Sequence, residues 1–154
     1  MVRGQDYIQC PTCRTILGTK TGDQPVTGRM TWTKHSRNIP GYPNFVTIII
    51  TYLMAPGIQT NGRPYLATGF PRKAFLPDNQ KGNGVLKMLI TSFQAKLTFT
   101  VGTSHSSGLD DCIVWNGIHH KTKIIEDGDG YGYPDMEYLD RVTEELIIMG
   151  VKQE

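Results

Sequence analysis

Two segments of this chain have apolar residues at helical spacing, and this pattern constrains the fold more than any other. The first segment has them at Val85, Leu86, Leu89, Ile90 and Phe93. The second has them at Leu139, Val142, Leu146 and Met149, with outward-facing acids expected at Glu137, Asp140 and Glu144. Short strand-like runs alternate irregularly with these helices, which favours an α+β fold over a doubly wound sheet. We expect one compact domain in which a mixed or antiparallel sheet packs against two main helices, with long irregular loops.

The start of the first helix is predicted from its flanking residues. Asp78 is the expected N-cap, because its carboxylate can accept hydrogen bonds from the free backbone N–H groups of the first turn. Gly82 and Gly84 follow, and each glycine disfavours a helix by about 1 kcal/mol relative to alanine. We therefore expect the helix to begin late, near Val85.

The second helix is expected to open at Pro134 or Asp135. Proline suits the first turn of a helix, where its missing N–H group has no helical partner to lose. Gly150 is the expected stop, because glycine readily takes the left-handed conformation that follows a helix.

The remaining secondary structure is predicted to be short strands. They are expected at residues 30–34, 45–53, 73–76, 97–101 and 111–115. A turn at residues 39–43 joins the first two, which should form a hairpin-like pair. Residues 55–71 contain three prolines and three glycines, so we expect an irregular surface loop there.

Composition is typical of a soluble domain. The chain has 154 residues, enough for a single hydrophobic core. Its longest apolar run, residues 46–52, is β-branched and far shorter than the roughly 20 residues of a membrane-spanning helix. With 16 basic and 14 acidic residues, the net charge of +2 is too small for general affinity for nucleic acids. We expect neither a membrane-bound nor a strongly nucleic-acid-binding protein.

The chain has three cysteines, two of them in Cys10-Pro-Thr-Cys13. An odd number with a CxxC pair argues against a disulfide framework and for a reducing compartment, either cytoplasmic or nuclear. Tetrahedral zinc requires four ligands, and only Cys112 and His35 are available at a distance to complete this pair. A thioredoxin-like redox pair is the alternative, although the preceding βαβ context is missing. We expect the zinc site to be incomplete in this chain.

Imidazole, indole, phenol and glycine are concentrated in residues 114–122 and 130–135. This composition is typical of a surface that stacks on and hydrogen-bonds a planar polar ligand. The alternative is structural, with Trp115 in the core of a strand and the two histidines satisfying local backbone groups. His119 and His120 are adjacent and should point in different directions, so we do not expect them to chelate a metal.

A second candidate binding segment is Gly102-Thr-Ser-His-Ser-Ser-Gly108, between two predicted strands. Backbone N–H groups and small hydroxyls in such a loop can converge on phosphate oxygens. It is not a P-loop, because the following Lys-Ser/Thr is missing. A merely flexible connection remains the alternative. If this segment binds a ligand, it should form a second wall of the cleft beside the histidines.

Several short blocks of the sequence carry a resemblance to a known family. They are residues 57–59, 69–72, 75–79, 85–87, 99–104, 115–116, 118–122 and 132–135. In order and approximate spacing they resemble the carboxy-terminal domain of Deltex-type ubiquitin ligases. Cys10 and Cys13 resemble the last zinc-ligand pair of the RING finger that precedes this domain. The resemblance implies a RING remnant and linker in residues 1–24 and the Deltex carboxy-terminal domain in residues 25–154, with Cys10 and Cys13 binding zinc only in an intact RING.

Domains of this family bind ADP-ribose and NAD, so the resemblance implies a nucleotide site. Its residues would be Gly102, Thr103, Ser104, His105, Ser106, Trp115, His119, Tyr131 and Tyr133. Tyr131 stands where some members place a catalytic histidine, and Glu145 matches an acidic partner on the last helix, which makes these two the candidate catalytic residues. A phenol with a pKa near 10 is a weaker general base at pH 7 than an imidazole near 6.5. Tyr131 therefore favours binding over catalysis.

Three functions are compatible with this resemblance. In the first, the domain recruits ADP-ribosylated proteins to the E2-ubiquitin thioester on a RING. In the second, it forms a composite active site with the RING that joins ubiquitin to ADP-ribose. In the third, it is a protein-interaction domain without a small ligand. The family also implies Notch pathway components as partners, and we expect the domain alone to be inactive as an enzyme.

Overall fold

The structure is a computed structural model that describes residues 7–9, 16–18, 21–104 and 108–153. Its strands and helices are β1 (Tyr7–Gln9), β2 (Ile16–Gly18), β3 (Arg29–His35), β4 (Thr47–Leu53), β5 (Gly57–Ile58), β6 (Pro64–Tyr65), β7 (Arg72–Pro77), α1 (Gln80–Gln94), β8 (Phe99–Gly102), β9 (Cys112–Trp115) and α2 (Tyr138–Ile148). All strand pairs within the named sheets are antiparallel. The expected α+β fold with two main helices is confirmed, with the strands divided among several small sheets within the described ranges.

The largest sheet has the order β3-β4-β7. The predicted hairpin-like pair is confirmed as β3 and β4, with the register Trp32↔Ile50. Side chains alternate across a strand, so Ile48, Ile50 and Tyr52 point to one face, where they are almost fully buried. Ala74 of β7 pairs with Ile50 and extends this apolar face toward the helices. The β-branched run thus forms the central strand of the core.

Helix α1 begins earlier than its glycines suggest. It starts at Gln80, and its N-cap is Asn79, whose side-chain oxygen accepts a hydrogen bond from the N–H of Gly82 at 2.7 Å. The predicted N-cap Asp78 and the predicted late start are therefore wrong. Gly82 is required for packing, because a Cβ atom at this position would lie 1.8 Å from the carbonyl oxygen of Pro77.

Helix α2 begins later than predicted, at Tyr138, with Glu137 as its N-cap. The expected start at Pro134 or Asp135 is wrong, because Asp135 belongs to a turn in which its carbonyl accepts the N–H of Tyr138 at 3.2 Å. Gly150 ends the helix as predicted, with a φ of 93°. Its N–H bonds the carbonyl of Ile147, and the next N–H bonds that of residue 146, both at 2.9 Å, which is the Schellman arrangement.

The β5–β6 and β8–β9 pairs are two-stranded sheets that border the irregular loops. The loop of residues 55–71 is irregular as predicted, apart from the short β5–β6 pair. In the β8–β9 hairpin, Phe99 pairs with Trp115 at one end and Gly102 with Cys112 at the other. Helix α1 packs against both β7 and α2, so it lies between the main sheet and the second helix. No helix in the described part of the chain is long and apolar enough to cross a bilayer.

Candidate functional site

The candidate site is built on a stack of aromatic rings around Trp115. The indole stacks on Phe99 at 4.7 Å between centroids and on His120 at 4.3 Å, and Tyr52 meets it edge-on at 5.7 Å. Much of the indole's π surface is therefore engaged by protein rings. Packing against the core fixes the position of the Trp115 indole, which forms one wall of the site.

His120 is the structural member of the histidine pair. It is 3% exposed, and burial lowers its pKa to about 4. Nδ1 lies 2.9 Å from the carbonyl oxygen of Ile118, which can only accept, so Nδ1 carries the proton. Nε2 must then accept the hydrogen bond from the Tyr52 hydroxyl at 2.9 Å. For His120 the structural interpretation of the sequence is confirmed.

His119 is the half-buried member of the pair, and its peptide groups are held by α2. Its backbone N–H donates to Oε1 of Glu145 at 2.8 Å, and its carbonyl accepts the Tyr138 hydroxyl at 2.7 Å. Its ring meets Tyr131 edge-on at 5.5 Å. Glu145 and Tyr131, both predicted from the family resemblance, therefore converge on this histidine.

The ring nitrogens of His119 have distinct roles. Nε2 lies 3.0 Å from the carbonyl oxygen of Gly130, so in the neutral ring Nε2 is protonated and Nδ1 is an acceptor. Nδ1 has no hydrogen-bond partner among the described residues. Burial, followed by the nearby charge of Lys121, lowers the pKa of His119 below its ordinary value. At neutral pH the residue thus has Nε2–H bound to the protein, and an acceptor at Nδ1 that no other described residue engages.

A cavity of about 360 Å³ lies beside this histidine. It is lined by Trp115, Gly117, Ile118, His119, His120, Asp129 and Tyr131. The volume falls at the lower end of the range typical of small-molecule sites. Three of the predicted site residues, Trp115, His119 and Tyr131, therefore share one cavity.

The predicted glycine and serine loop lies at the other end of the β8–β9 hairpin. Gly102 ends β8, the Thr103 hydroxyl donates to Asp110 at 2.7 Å, and the Ser104 carbonyl accepts the N–H of Gly108 at 2.7 Å. These residues do not line the cavity, and three residues of strand separate them from it by about 10 Å. The predicted contacts of His105 and Ser106 lie outside the described residues.

Tyr133, a predicted site residue, does not line the cavity and is fully buried. Its hydroxyl donates to the carbonyl of Phe75 at 2.7 Å, which ties the site to β7. Beside it, the buried ammonium of Lys121 donates to Gly130 and to Asp135, each at 2.8 Å. Arg141 and Lys121 together hold the pKa of the Asp135 carboxyl well below its usual range. The ion-paired group of Lys121, Asp135 and Arg141 therefore supports the loop that carries Tyr131.

The loop before Tyr131 contains an acidic group that sequence reasoning missed. Carboxylate oxygens of Glu126, Asp127 and Asp129 lie within 4.8 Å of one another. Asp127 and Asp129 both pair with Lys123. Glu126 instead accepts backbone N–H groups from three glycines of the same loop. Glycine at every second position from 128 to 132 was the available sequence signal for this arrangement.

The two distant candidates for zinc lie in different parts of the fold. Cys112 is fully buried in β9, and its thiol faces the carbonyl of Asp110 at 3.7 Å. His35 is exposed at the end of β3. The predicted ligands Cys10 and Cys13 lie outside the described residues.

The sequence matches one family model and several known proteins. The model of the Deltex C-terminal domain family matches residues 21–151. "E3 ubiquitin-protein ligase DTX1" of Homo sapiens is 46% identical over 151 residues, which are 95% of this chain and 24% of that protein. "E3 ubiquitin-protein ligase DTX4" of Mus musculus is 43% identical over 152 residues, which are 96% of this chain and 24% of that protein. "Probable E3 ubiquitin-protein ligase DTX3" of Homo sapiens is 41% identical over 146 residues, which are 92% of this chain and 42% of that protein. The chain therefore spans less than half the length of these relatives.

Proposed function

The chain belongs to the Deltex C-terminal domain family, and from this membership we propose that it is the ADP-ribose- or NAD-binding domain of a RING-type E3 ubiquitin ligase. In this role it brings ADP-ribosylated proteins to the E2-ubiquitin thioester held by the RING. The ligase activity, the E2 and the zinc belong to the longer protein, which we place in the cytoplasm or nucleus and, by family resemblance, in Notch signalling.

The cavity beside His119 is the observation that carries this proposal. Three polar groups of different character border it, namely the imidazole of His119, the phenol of Tyr131 and the carboxylate of Asp129. The histidine offers an acceptor at Nδ1, and the carboxylate is a pure acceptor. A ligand portion rich in hydroxyl donors, such as a ribose, matches these groups better than a phosphate would.

The size and charge of the cavity support one arrangement of the ligand. About 360 Å³ accommodates a nucleoside-sized portion, not the whole of ADP-ribose. The described residues that line the cavity include no lysine or arginine that could neutralise a diphosphate. We therefore assign the cavity to the ribose and its base, and the diphosphate to the direction of Gly102, Thr103 and Ser104, where a glycine-containing loop begins. An extended ligand would reach both.

A second function is favoured by the acceptor character of Nδ1 of His119. In the composite active site, a ribose hydroxyl attacks the ubiquitin carboxyl carbon of the E2 thioester. An ester bond forms, the carbon–sulfur bond breaks, and the hydroxyl proton passes through a base to the departing E2 thiolate. A neutral imidazole with a free Nδ1 can take that proton, and the Glu145 carboxylate fixes its backbone at 2.8 Å. Tyr131 would then bind the ligand beside it.

Titration calorimetry with ADP-ribose, NAD and adenosine tests the binding function. We expect ADP-ribose and NAD to bind, and adenosine to bind more weakly because it lacks the diphosphate. His119→Ala should weaken ADP-ribose binding at least about tenfold, as for the loss of a hydrogen bond to a charged or buried group. His35→Ala is the matched control, since it removes an exposed histidine at the end of β3.

The outcomes separate the candidate functions. Binding without consumption of the nucleotide, when RING, E1, E2 and ubiquitin are supplied, supports recruitment. Nucleotide that becomes joined to ubiquitin under those conditions supports the composite site. No heat change with any of the three ligands would exclude both and leave a protein-interaction domain.

A further inference from the structure

The loop of residues 126–132 folds around its own carboxylate. Oε2 of Glu126 accepts the N–H of Gly128 at 2.7 Å and that of Gly130 at 2.8 Å, and Oε1 accepts the N–H of Gly132 at 2.8 Å. We call this arrangement of Glu126 with the three glycine amides the carboxylate clasp. Hydrogen bonds from Gly130, then Gly132, lower the pKa of Glu126, so the clasp is made by the ionised side chain.

The glycines are needed for the path of the loop around the carboxylate. Gly128 and Gly130 have φ angles of 111° and 86°, which residues with a Cβ atom rarely adopt. A Cβ atom on Gly132 would lie 2.5 Å from the backbone nitrogen of Glu126. Backbone bonds close the same loop, since the N–H of Glu126 donates to the carbonyl of Tyr133 at 2.9 Å. The alternating glycines and the single glutamate therefore form one structural unit.

The clasp fixes the N–H of Gly130, the residue whose carbonyl faces His119 and Lys121. That oxygen accepts Nε2–H of His119 at 3.0 Å and the ammonium of Lys121 at 2.8 Å. The Gly130 N–H is held by Glu126 on one side of the residue, and its carbonyl is held by His119 and Lys121 on the other. Tyr131 follows directly and lines the cavity. Glu126 thus connects through one glycine to His119 and Tyr131, two of the polar side chains of the candidate site.

We propose that Glu126 is a positioning residue of the nucleotide site, which holds His119 in the Nε2–H form and Tyr131 at the cavity wall. Without the clasp, residues 128–132 lose three hydrogen bonds to an ionised acceptor, and the backbone that carries the Gly130 carbonyl is held less rigidly. The imidazole then exchanges between its two protonated forms, and Nδ1 is an acceptor for only part of the time. The ligand part of this inference rests on the proposed function, and the histidine part does not.

The test replaces Glu126 by glutamine and reads the histidine directly. The amide keeps the shape of the side chain but directs an NH₂ group at backbone N–H donors, so at least one bond of the clasp is lost. Long-range ¹H–¹⁵N correlation spectra of the ligand-free protein report which nitrogen of His119 is protonated. We expect a single Nε2–H form in the wild type and a mixture in Glu126→Gln. Calorimetry should show ADP-ribose affinity reduced about tenfold or more.

Asp127→Asn is the matched control, because it neutralises the neighbouring acid, which contacts Lys123 and none of the glycine amides. It should leave the His119 spectrum unchanged. Glu126→Asp keeps the charge but shortens the reach, and it serves as the second variant if glutamine prevents folding. An unchanged Nε2–H signal in folded Glu126→Gln and Glu126→Asp would overturn the inference. A wild type that binds no ADP-ribose, together with a His119 signal that shifts in Glu126→Gln, would refute the nucleotide function and retain the link between the two residues.

Discussion

Oε1 of Glu145 accepts the backbone N–H of His119 at 2.8 Å, across 26 positions of sequence. The next peptide group of the same histidine is also held by α2, through the Tyr138 hydroxyl at 2.7 Å. The cavity-lining imidazole is therefore presented by a loop whose main chain is fixed to a helix. Glu145 contacts the histidine backbone rather than its ring, which gives this acid a definable structural role beside the catalytic role that the family implies.

Replacing Glu145 separates its two roles. In Glu145→Ala the N–H of His119 loses its acceptor, so we expect the free energy of unfolding to fall by about 1–3 kcal/mol. Glu145→Gln keeps an acceptor oxygen and should be close to wild type in stability and in ADP-ribose affinity. Glu144→Ala, at an exposed neighbouring position, is the control and should change stability by less than about 0.5 kcal/mol. If Glu145→Gln retains affinity but loses ubiquitin transfer in the longer protein, the acid acts in the chemistry as well.

The fold was predictable from the sequence where the pattern is local. The prediction failed where the start of an element depends on a distant contact. Helical spacing identified the buried faces of both helices, and β-branched alternation identified the β3–β4 pair. The start of α1 was missed because propensity disfavours Gly82 in a helix, whereas packing against the Pro77 carbonyl requires it. The start of α2 was missed because Asp135 is engaged by Lys121 and Arg141 in a turn outside the helix.

The two adjacent histidines should respond oppositely to alanine substitution. His119→Ala should reduce ADP-ribose affinity with little loss of stability, because the ring is only half-buried beside the cavity. His120→Ala removes a buried ring from its stack on Trp115 and leaves the Tyr52 hydroxyl without a partner. We expect the free energy of unfolding to fall by about 2–4 kcal/mol in that variant. Denaturant unfolding and calorimetry on both variants check this, and equal losses of stability would contradict the assignment.

Stability should fall as the pH is lowered from 6.5 toward 4. Burial lowers the pKa of His120 from an ordinary value of 6.5 to about 4, so in this interval the unfolded chain binds a proton that the folded protein does not. The free energy of unfolding therefore decreases with decreasing pH, by up to about 3 kcal/mol, and this contribution levels off below pH 4.

His120→Phe is the control for the pH effect, because it keeps a buried aromatic ring without a titrating group. Unfolding curves at several pH values should show a shallower decline between pH 6.5 and 4.5 in the variant. The carboxyl groups with lowered pKa, Asp78, Glu126, Asp129 and Asp135, act mainly below this interval and are common to both proteins. Parallel curves for the two proteins would refute the assignment to His120.

The candidate site was partly predictable because aromatic and imidazole side chains mark it in the sequence. Trp115, His119 and Tyr131 do meet at one cavity, and adjacency alone indicated that the histidines face different ways. The burial of the Lys121 ammonium and the carboxylate clasp of Glu126 were missed. Each depends on loop geometry that brings donors and acceptors together, and composition alone does not reveal such geometry.

Purified protein should contain well below one zinc ion per chain. Two thiolates at Cys10 and Cys13 cannot complete a tetrahedral shell. The other candidates do not lie together, since Cys112 is buried in β9 while His35 is exposed at the end of β3 in another sheet. Elemental analysis checks the zinc content. Stoichiometric zinc that is lost in Cys10→Ser would show that ligands are recruited from a second chain or a further segment.

The last prediction concerns Tyr131, which is 47% exposed and meets His119 edge-on. Tyr131→Phe keeps the ring and removes only the hydroxyl, so ADP-ribose affinity should stay within about 1 kcal/mol of wild type, the scale of one neutral hydrogen bond. Tyr131→His supplies a base with a pKa near neutrality at a position beside His119. In the longer protein with its RING, this change should raise ubiquitin transfer to the ribose hydroxyl within the roughly 10²–10⁴-fold range of a positioned base. The gain should disappear in the double variant with Glu145→Gln. An unchanged transfer rate with intact nucleotide affinity would mean that a base at this position does not limit the reaction.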